Sequence, residues 1–307
     1  MRAAAWFACV ALSGLACATE RLPPPPSAPQ LQSSTDWIPP DLDAVVRVDV
    51  PRTRATLGPL ADRLFFALIA TWVSRSDDHA TRELLAALVA RSNAVWVGAR
   101  PASRFELSDN VWVFRGRFRD VVPNTLRGAP AWKSPTDLGA LIRRYERDET
   151  DRASPAVLYV QPERAVVGSR AEIDALERRI ERGVRDRALQ APERGLVSLA
   201  ARVEVVQREV QLRAPPIARV FEGAVSVEAI VERREPDLEL TVDVRYADVG
   251  RAQQVAAAVT SVLREGAGED SVKGAAEPQR FQLQSVERSV TLRIRFSAQE
   301  LAALATL

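Results

Sequence analysis

The sequence predicts an α+β fold, with antiparallel sheets and helices packed on one face. Apolar and polar residues alternate over residues 225–231 and 238–246, as in strands with one wet face. The turn-forming residues Arg233–Pro236 between them predict a hairpin. Ser169–Glu172 and Ser297–Glu300 match the capping box that opens a helix. One-sided alternating strands followed by helices are typical of antiparallel sheets rather than doubly wound parallel ones.

Residues 41–190 form a first α+β half with its elements in a definite order. The pattern predicts a strand at 43–50, a buried helix from 53–59 to about 73, a helix carrying Leu84, Leu85, Leu88 and Val89, strands at 94–99 and 111–118, a short helix near 137–146, a hairpin of 156–160 with 164–168, and a helix from Ser169 to Gly183. Residues 123–155 are otherwise less regular, because Gly128, Pro130 and Pro135 interrupt them.

Residues 191–307 form a second half. Its predicted elements are the hairpin of 225–231 with 238–246, a helix from about 249 to 264, a hairpin of 281–286 with 290–296, and a short terminal helix. Both halves end in a hairpin, a Ser-x-x-Glu cap and a helix, which suggests duplication of one unit. Chance repetition of a common cap is the alternative.

The composition excludes most catalytic and metal sites. The chain has 307 residues, 47% of them hydrophobic, which is enough for a core, and a single histidine, His79. Its two cysteines, Cys9 and Cys17, both lie near the N-terminus, so a disulfide, a zinc–cysteine site or a thiol nucleophile in the body is not expected. We therefore predict a protein that is not an enzyme and has no catalytic residue, cofactor or metal.

Individual charged residues are expected at the surface. His79 follows two aspartates at a helix start, and Lys133 and Lys273 are the only lysines. The acidic group Asp148, Glu149 and Asp151 is interpreted as a solvated loop, with a weak cation site as the alternative. The 42 basic residues are matched by 40 acidic ones, which argues against nucleic acid as a partner.

Residues 1–18 have the layout of a secretory signal peptide, with one early positive charge and a short apolar run. Ser13–Cys17 resembles the lipobox of bacterial lipoproteins, which implies cleavage before Cys17 and its lipidation. Cleavage after Ala18 with simple secretion is the first alternative, and an uncleaved anchor is the second. The Pro-rich residues 19–40 are predicted to be an extended tether.

The first 180 residues resemble uncharacterised secreted lipoproteins of Gram-negative bacteria. The resemblance rests on the Pro-rich spacer, on Pro39–Asp49 (PPDLDAVVRVD) and on Ala165–Ser169 (AVVGS) before a helix. It implies an envelope location and no defined activity.

An aromatic set in the first half is the candidate ligand site. Trp72, Trp96, Trp112 and Phe114 are predicted either to line an apolar pocket or to form the core of that half.

These patterns together favour a non-enzymatic cell-envelope lipoprotein with a binding or structural role for an unknown partner. The alternatives are a periplasm-facing carrier for a lipid or other apolar ligand and, third, an enzyme built on carboxylates alone. The expected partners are the membrane, through a lipid anchor, and an envelope protein. An outer-membrane anchor is the expected location, with the periplasm or secretion as alternatives, and the oligomeric state is open.

Overall fold

The described part of the chain forms one antiparallel sheet of twelve strands. The computed structural model describes residues 34–65, 79–99, 110–129, 132–138, 141–148, 154–160, 162–182, 189–213, 218–266 and 281–300. The strands are β1 (Ala44–Asp49), β2 (Ser92–Ala99), β3 (Asn110–Gly116), β4 (Thr136–Asp137), β5 (Ile142–Glu146), β6 (Pro155–Val160), β7 (Arg164–Ser169), β8 (Val197–Ala201), β9 (Ala224–Arg234), β10 (Asp237–Tyr246), β11 (Phe281–Val286) and β12 (Ser289–Phe296).

The strands follow the order β11-β12-β10-β9-β8-β1-β2-β3-β7-β6-β5-β4. The helices are α1 (Val50–Leu57), α2 (His79–Arg91), α3 (Val121–Leu126), α4 (Arg170–Arg182), α5 (Val203–Arg213) and α6 (Val249–Gly266). Residues 59–65 and 298–300 are also helical, and short 3₁₀ helices span Ser34–Trp37 and Arg219–Phe221.

The two halves of the sheet have the same topology. In the first half the order is β6-β7-β3-β2-β1, and in the second it is β11-β12-β10-β9-β8. Helices follow β1 and β8, then β3 and β10, then β7 and β12, so the equivalence extends to the connections. The halves meet where the equivalent strands β1 and β8 pair antiparallel, with Val46 opposite Leu199. The hairpin β4–β5 extends the first half and has no counterpart among the described residues of the second.

Each half of the sheet buries its front face, defined by Val95, Trp112 and Val244. Helices α1, α2 and α3 cover it in the first half, and α5 and α6 cover it in the second. The back face, defined by Trp96 and Val113, is covered in the first half by residues 37–42 and by α4. In the second half, the back face carries Glu228, Asp243 and Arg245 instead.

The α+β class and the antiparallel sheet are confirmed, with one difference of detail. In the second half, α5 and α6 both lie on the front face, whereas helices cover both faces in the first half, because the strands of the first half are apolar on both sides. The predicted strands 94–99 and 111–118, the three hairpins and the helices at 79–91 and 249–266 are present. Both capping serines accept a hydrogen bond from a backbone N–H, Ser169 from Glu172 at 3.3 Å and Ser297 from Glu300 at 3.2 Å.

Two predictions for the first half are wrong. Residues 137–146 are not a helix; they contain the end of β4 and all of β5, because alternate side chains of β5 contact different layers. The folded part also begins before residue 41, since Trp37 and Ile38 are buried in the core on the back face. Residues 34–40 are therefore not tether. The signal peptide, Cys9, Cys17 and residues 19–33 lie outside the described residues.

Candidate functional site

A cavity of about 300 Å³ lies at the outer end of the first half, beside the β4–β5 hairpin. Its walls come from the end of α3, from the chain before β4 and from the front face of β5. The lining residues are Pro123, Leu126, Arg127, Gly128, Trp132, Lys133, Ser134, Pro135, Arg143 and Tyr145. Its volume is at the lower end of the range for small-molecule sites.

Backbone pairing fixes the wall that precedes β4. The N–H of Lys133 donates to the carbonyl of Glu146 at 2.9 Å, and Trp132 bridges to Arg147. Strand β5 is thereby joined to a segment that the prolines and Gly128 keep from forming a helix. Gly128 has a φ of 72°, in the left-handed region that favours glycine.

The floor of the cavity is aromatic and buried. Tyr145 is 4% exposed and Trp132 is 9% exposed, and both belong to the core cluster on the front face. Tyr159 anchors the nearby loop, because its hydroxyl donates to the carbonyl of Arg119 at 3.1 Å. A ligand would therefore meet a rigid apolar surface.

Among the described residues that line the cavity, three are cations and none is a carboxylate. Arg143 forms an ion pair with Asp137 at 3.0 Å, and Lys133 forms one with Glu146 at 3.3 Å. Neither of these two carboxylates belongs to the cavity lining. Arg127 is exposed and has no carboxylate partner among the described residues. The rim is thus positively charged over an apolar floor.

The pKa shifts fit a site for an anion. Burial raises the pKa of the Tyr145 hydroxyl, although Arg143 lowers it, so this tyrosine stays neutral and can donate a hydrogen bond. Burial alone would raise the pKa of Glu146, but Arg144, Arg170 and Lys133 outweigh it and hold that pKa below its usual value. Glu146 therefore stays ionised and keeps Lys133 in place.

A second cavity, of about 420 Å³, lies where α1 meets the turn between β9 and β10. It is lined by Arg52, Ala55, Thr56, Gly195, Leu196, Glu232, Arg233 and Arg234. It has no aromatic residue, and a carboxylate lies among its arginines, so it offers neither an apolar floor nor a single sign of charge.

The predicted aromatic set does not form one pocket. Trp112 and Phe114 lie together on the front face with ring centroids 5.9 Å apart, whereas Trp96 lies on the back face. All three are at most 2% exposed and belong to the cores, and none lines either cavity. Trp72 lies outside the described residues.

Other residues singled out from the sequence are distributed over the surface. His79 is 80% exposed and contacts Glu83, as expected for a solvated first turn. Asp148 is exposed and lies 4.0 Å from Lys133, while Glu149, Asp151 and Lys273 lie outside the described residues. Lys133 is a wall of the cavity rather than an isolated surface charge.

Sequence reasoning missed the cavity because its residues lie in the stretch interpreted as irregular. The available signal was local composition: Arg127, Trp132, Lys133, Arg143 and Tyr145 fall within nineteen residues. Within the described ranges, no group of three metal-ligating side chains comes together. Over the same ranges, every helix is too short or too polar to cross a membrane.

Comparisons with known proteins reveal similarity of fold. Neither a family model nor a curated protein matches the chain. Solved structures of the Treponema protein TP0453 match it in crystal form III, with 13% identity, a TM-score of 0.53 and coverage of 89% of this chain and 98% of that one. Crystal form IV gives 13% identity and a TM-score of 0.51, and crystal form I gives 12% identity and a TM-score of 0.50. Each of these matches covers 89% of this chain and 96% of that one. At this identity, the likeness extends to the fold alone.

Proposed function

We propose that the chain is a non-enzymatic envelope lipoprotein, anchored through Cys17, whose folded part binds a partner carrying an anionic group on an apolar body. The cavity beside β4–β5 carries this proposal. Its aromatic floor would bury the apolar part, and Arg127, Lys133 and Arg143 would contact a carboxylate or phosphate.

The position of the cavity in the repeat supports a binding role. Among the described residues, only the first half has a hairpin like β4–β5, and this hairpin supplies Arg143 and Tyr145 to the cavity. The candidate site therefore lies beside the five strands that the two halves share.

Calorimetric titration of the full chain in mild detergent tests this role, with 2-naphthoate and phenyl phosphate as probes. We expect saturable binding that weakens by about tenfold in an Arg127→Gln/Lys133→Gln variant, because charge-assisted hydrogen bonds to the anion are lost. The neutral probe 2-naphthalenemethanol should bind more weakly than 2-naphthoate.

A double variant at the other cavity, Arg52→Gln/Arg233→Gln, removes the same charge and is the matched control. It should bind 2-naphthoate as the original chain does. Equal binding by both double variants, or no saturable binding at all, would contradict the anion site.

The second candidate function is a periplasm-facing carrier for a lipid or other apolar ligand. The apolar floor formed by Leu126, Trp132 and Tyr145 favours it, whereas the small volume favours a headgroup or a short chain. Native mass spectrometry of gently extracted protein separates the two functions. A lipid that co-purifies with the original chain but not with the Leu126→Asp variant would support the carrier. A lipid-free original chain would count against it.

Lipidation at Cys17 has its own test. In cells, the Cys17→Ser variant should leave the membrane fraction, because stable attachment requires the acyl chains. Cys9→Ser is the matched control and should stay in that fraction. If Cys17→Ser remains membrane-bound, secretion with another form of attachment replaces the lipoprotein proposal.

A further inference from the structure

The strand β11 is one edge of the sheet that the described residues form. Its outer side pairs with no strand among the described residues, since β11 stands last in the strand order. Its sequence, FQLQSV, has no charged residue and no proline. Gln282, Gln284 and Val286 are exposed, Val286 by 61%. Sheet edges normally carry charges, prolines or bulges that prevent pairing with another chain.

The opposite edge of the sheet is protected. There β4 has only two residues, Pro135 immediately precedes it, and Asp137 forms an ion pair with Arg143 of the neighbouring strand. Short, charged edge strands are poor templates for another strand. The two ends of the sheet are therefore built differently.

The repeat identifies what β11 lacks. In the first half the equivalent strand is β6, and its outer side pairs with β5 over Ile142–Glu146. A strand added to β11 would occupy the place that β5 occupies beside β6. Antiparallel pairing would satisfy the outward backbone N–H and C=O groups, which belong to every second residue of an edge strand.

The molecule already joins equivalent edges in this way. Strands β1 and β8 are equivalent, and they pair antiparallel with front-face residues opposite front-face residues, as Val46 lies opposite Leu199. A twofold axis perpendicular to the sheet would bring two copies of β11 together with the same matching of faces. Such an interface is isologous and closes at two copies.

We propose that two copies of this chain dimerise through antiparallel pairing of β11 with β11. The uncharged strand is complementary to itself, because no side chain of Phe281–Val286 places a charge opposite its own copy. The sheet then continues from one copy into the other, and the protected β4 edges lie at its two ends.

The alternation of side chains between the two faces of β11 defines the test. If front-face residues lie opposite front-face residues, two registers pair five residues of one β11 with five of the other. One register places Gln284 opposite Gln284, and the other places Gln284 opposite Gln282. A Gln282→Lys/Gln284→Lys variant therefore puts like charges opposite each other in both registers, which destabilises the pairing. The matched control is Gln253→Lys/Gln254→Lys on α6, where both glutamines are exposed.

Light scattering of the full chain in mild detergent gives the protein mass. We expect the original chain and the α6 control to be dimers, and the edge variant to be a monomer with an unchanged circular dichroism spectrum. Mixing the edge variant with a Gln282→Glu/Gln284→Glu variant should restore a dimer, because opposite charges then face each other. An original chain that stays monomeric, including one that instead pairs with a different protein, would overturn the proposal. So would an edge variant that still dimerises, or a charge-swapped mixture that does not.

Discussion

Tyr246 shows how burial sets the chemistry of a single residue. It is 1% exposed in the core of the second half, and its hydroxyl donates to the carbonyl of Val220. Burial raises the pKa of Tyr246 to about 12, while Arg251 opposes the shift only in part. Unlike an exposed tyrosine, this residue keeps its proton in the folded protein well above pH 10.

The free energy of unfolding should therefore decrease between about pH 10 and about pH 12. The unfolded chain loses the Tyr246 proton near its ordinary pKa, whereas the folded chain retains it, so rising pH favours unfolding. In Tyr246→Phe the decrease should be shallower, and stability at neutral pH should be lower by about 1 kcal/mol because a hydrogen bond is lost. Urea titrations across this pH range measure both effects.

The composition makes this experiment informative. The chain has three tyrosines and only two lysines. Few other groups therefore change charge between pH 10 and 12. Equal pH slopes for the original chain and Tyr246→Phe would contradict the shifted pKa.

The placement of single residues was only partly predictable. Trp96 and Trp112 both lie in predicted strands and are both buried, but their faces depend on the register of β2 with β3, which places Val97 opposite Trp112. Register depends on contacts between distant residues and not on local pattern. The two tryptophans therefore could not be assigned to opposite layers from the sequence.

At the scale of elements, Arg144 attaches α4 to β5. Its guanidinium lies 3.0 Å from Glu146, 2.8 Å from Asp174 and 2.7 Å from Glu177, and the side chain is 14% exposed. Burial would lower the pKa of Arg144, but these three carboxylates outweigh it and raise that pKa. The ion-pair network thus joins a strand to a helix on the back face.

Arg144→Ala should lower the free energy of unfolding by about 1.5–3 kcal/mol, because it removes charge-assisted hydrogen bonds to the half-buried carboxylates of Glu146, Asp174 and Glu177. The matched control is the neighbouring Arg143→Ala. Arg143 is 41% exposed and forms one ion pair, with Asp137, in the part of the chain that the structure describes, so about 0–1 kcal/mol is expected there. Urea unfolding of both variants measures the difference, and equal losses would show that the network does not hold α4.

The same strand explains why one helix prediction failed. The alternation of β5 sends Arg144 and Glu146 to the back face and Arg143 and Tyr145 to the cavity, so both faces look polar in the sequence. Two of the three carboxylates that compensate Arg144, Asp174 and Glu177, come from α4, about thirty residues later. By contrast, β9 and β10 could be predicted because only one of their faces is apolar.

The missed strand β8 has a related explanation. It has five residues, and it is stabilised by pairing with β1 and β9. Other elements separate each of these strands from β8 in the sequence. Its alternating Ser198 and Ala200 give a weak apolar signal. The candidate cavity was missed for the same reason, since α3, Trp132 and β5 form it only after the sheet is assembled.

At the scale of the whole molecule, the repeated topology explains the size of the sheet. Each half has five equivalent strands, and the join between β1 and β8 makes one sheet of the two. The similar ends of the two halves in the sequence pointed to this arrangement. The sequence alone left it open, because strand order is not encoded in local pattern.

The join between β1 and β8 has a consequence for how the protein unfolds. Five of the six tryptophans lie between residues 37 and 132, and the sixth, Trp6, belongs to the predicted signal peptide. Tryptophan fluorescence of the folded protein therefore reports on the first half only. If the shared sheet makes the halves one cooperative unit, a defect in the second half will change the fluorescence of the first. Val244→Ala, which removes a fully buried side chain, should lower the urea midpoint seen by fluorescence, with a cost of roughly 1–3 kcal/mol.

The control for this experiment is Val225→Ala, a substitution at a side chain that is 63% exposed, which should leave the midpoint unchanged. Far-UV circular dichroism, which reports on both halves, should give the same midpoint as fluorescence for each protein. A fluorescence curve unmoved by Val244→Ala would mean that the halves unfold independently. Coincident curves would mean that a stretch of paired backbone five residues long transmits stability across the entire protein.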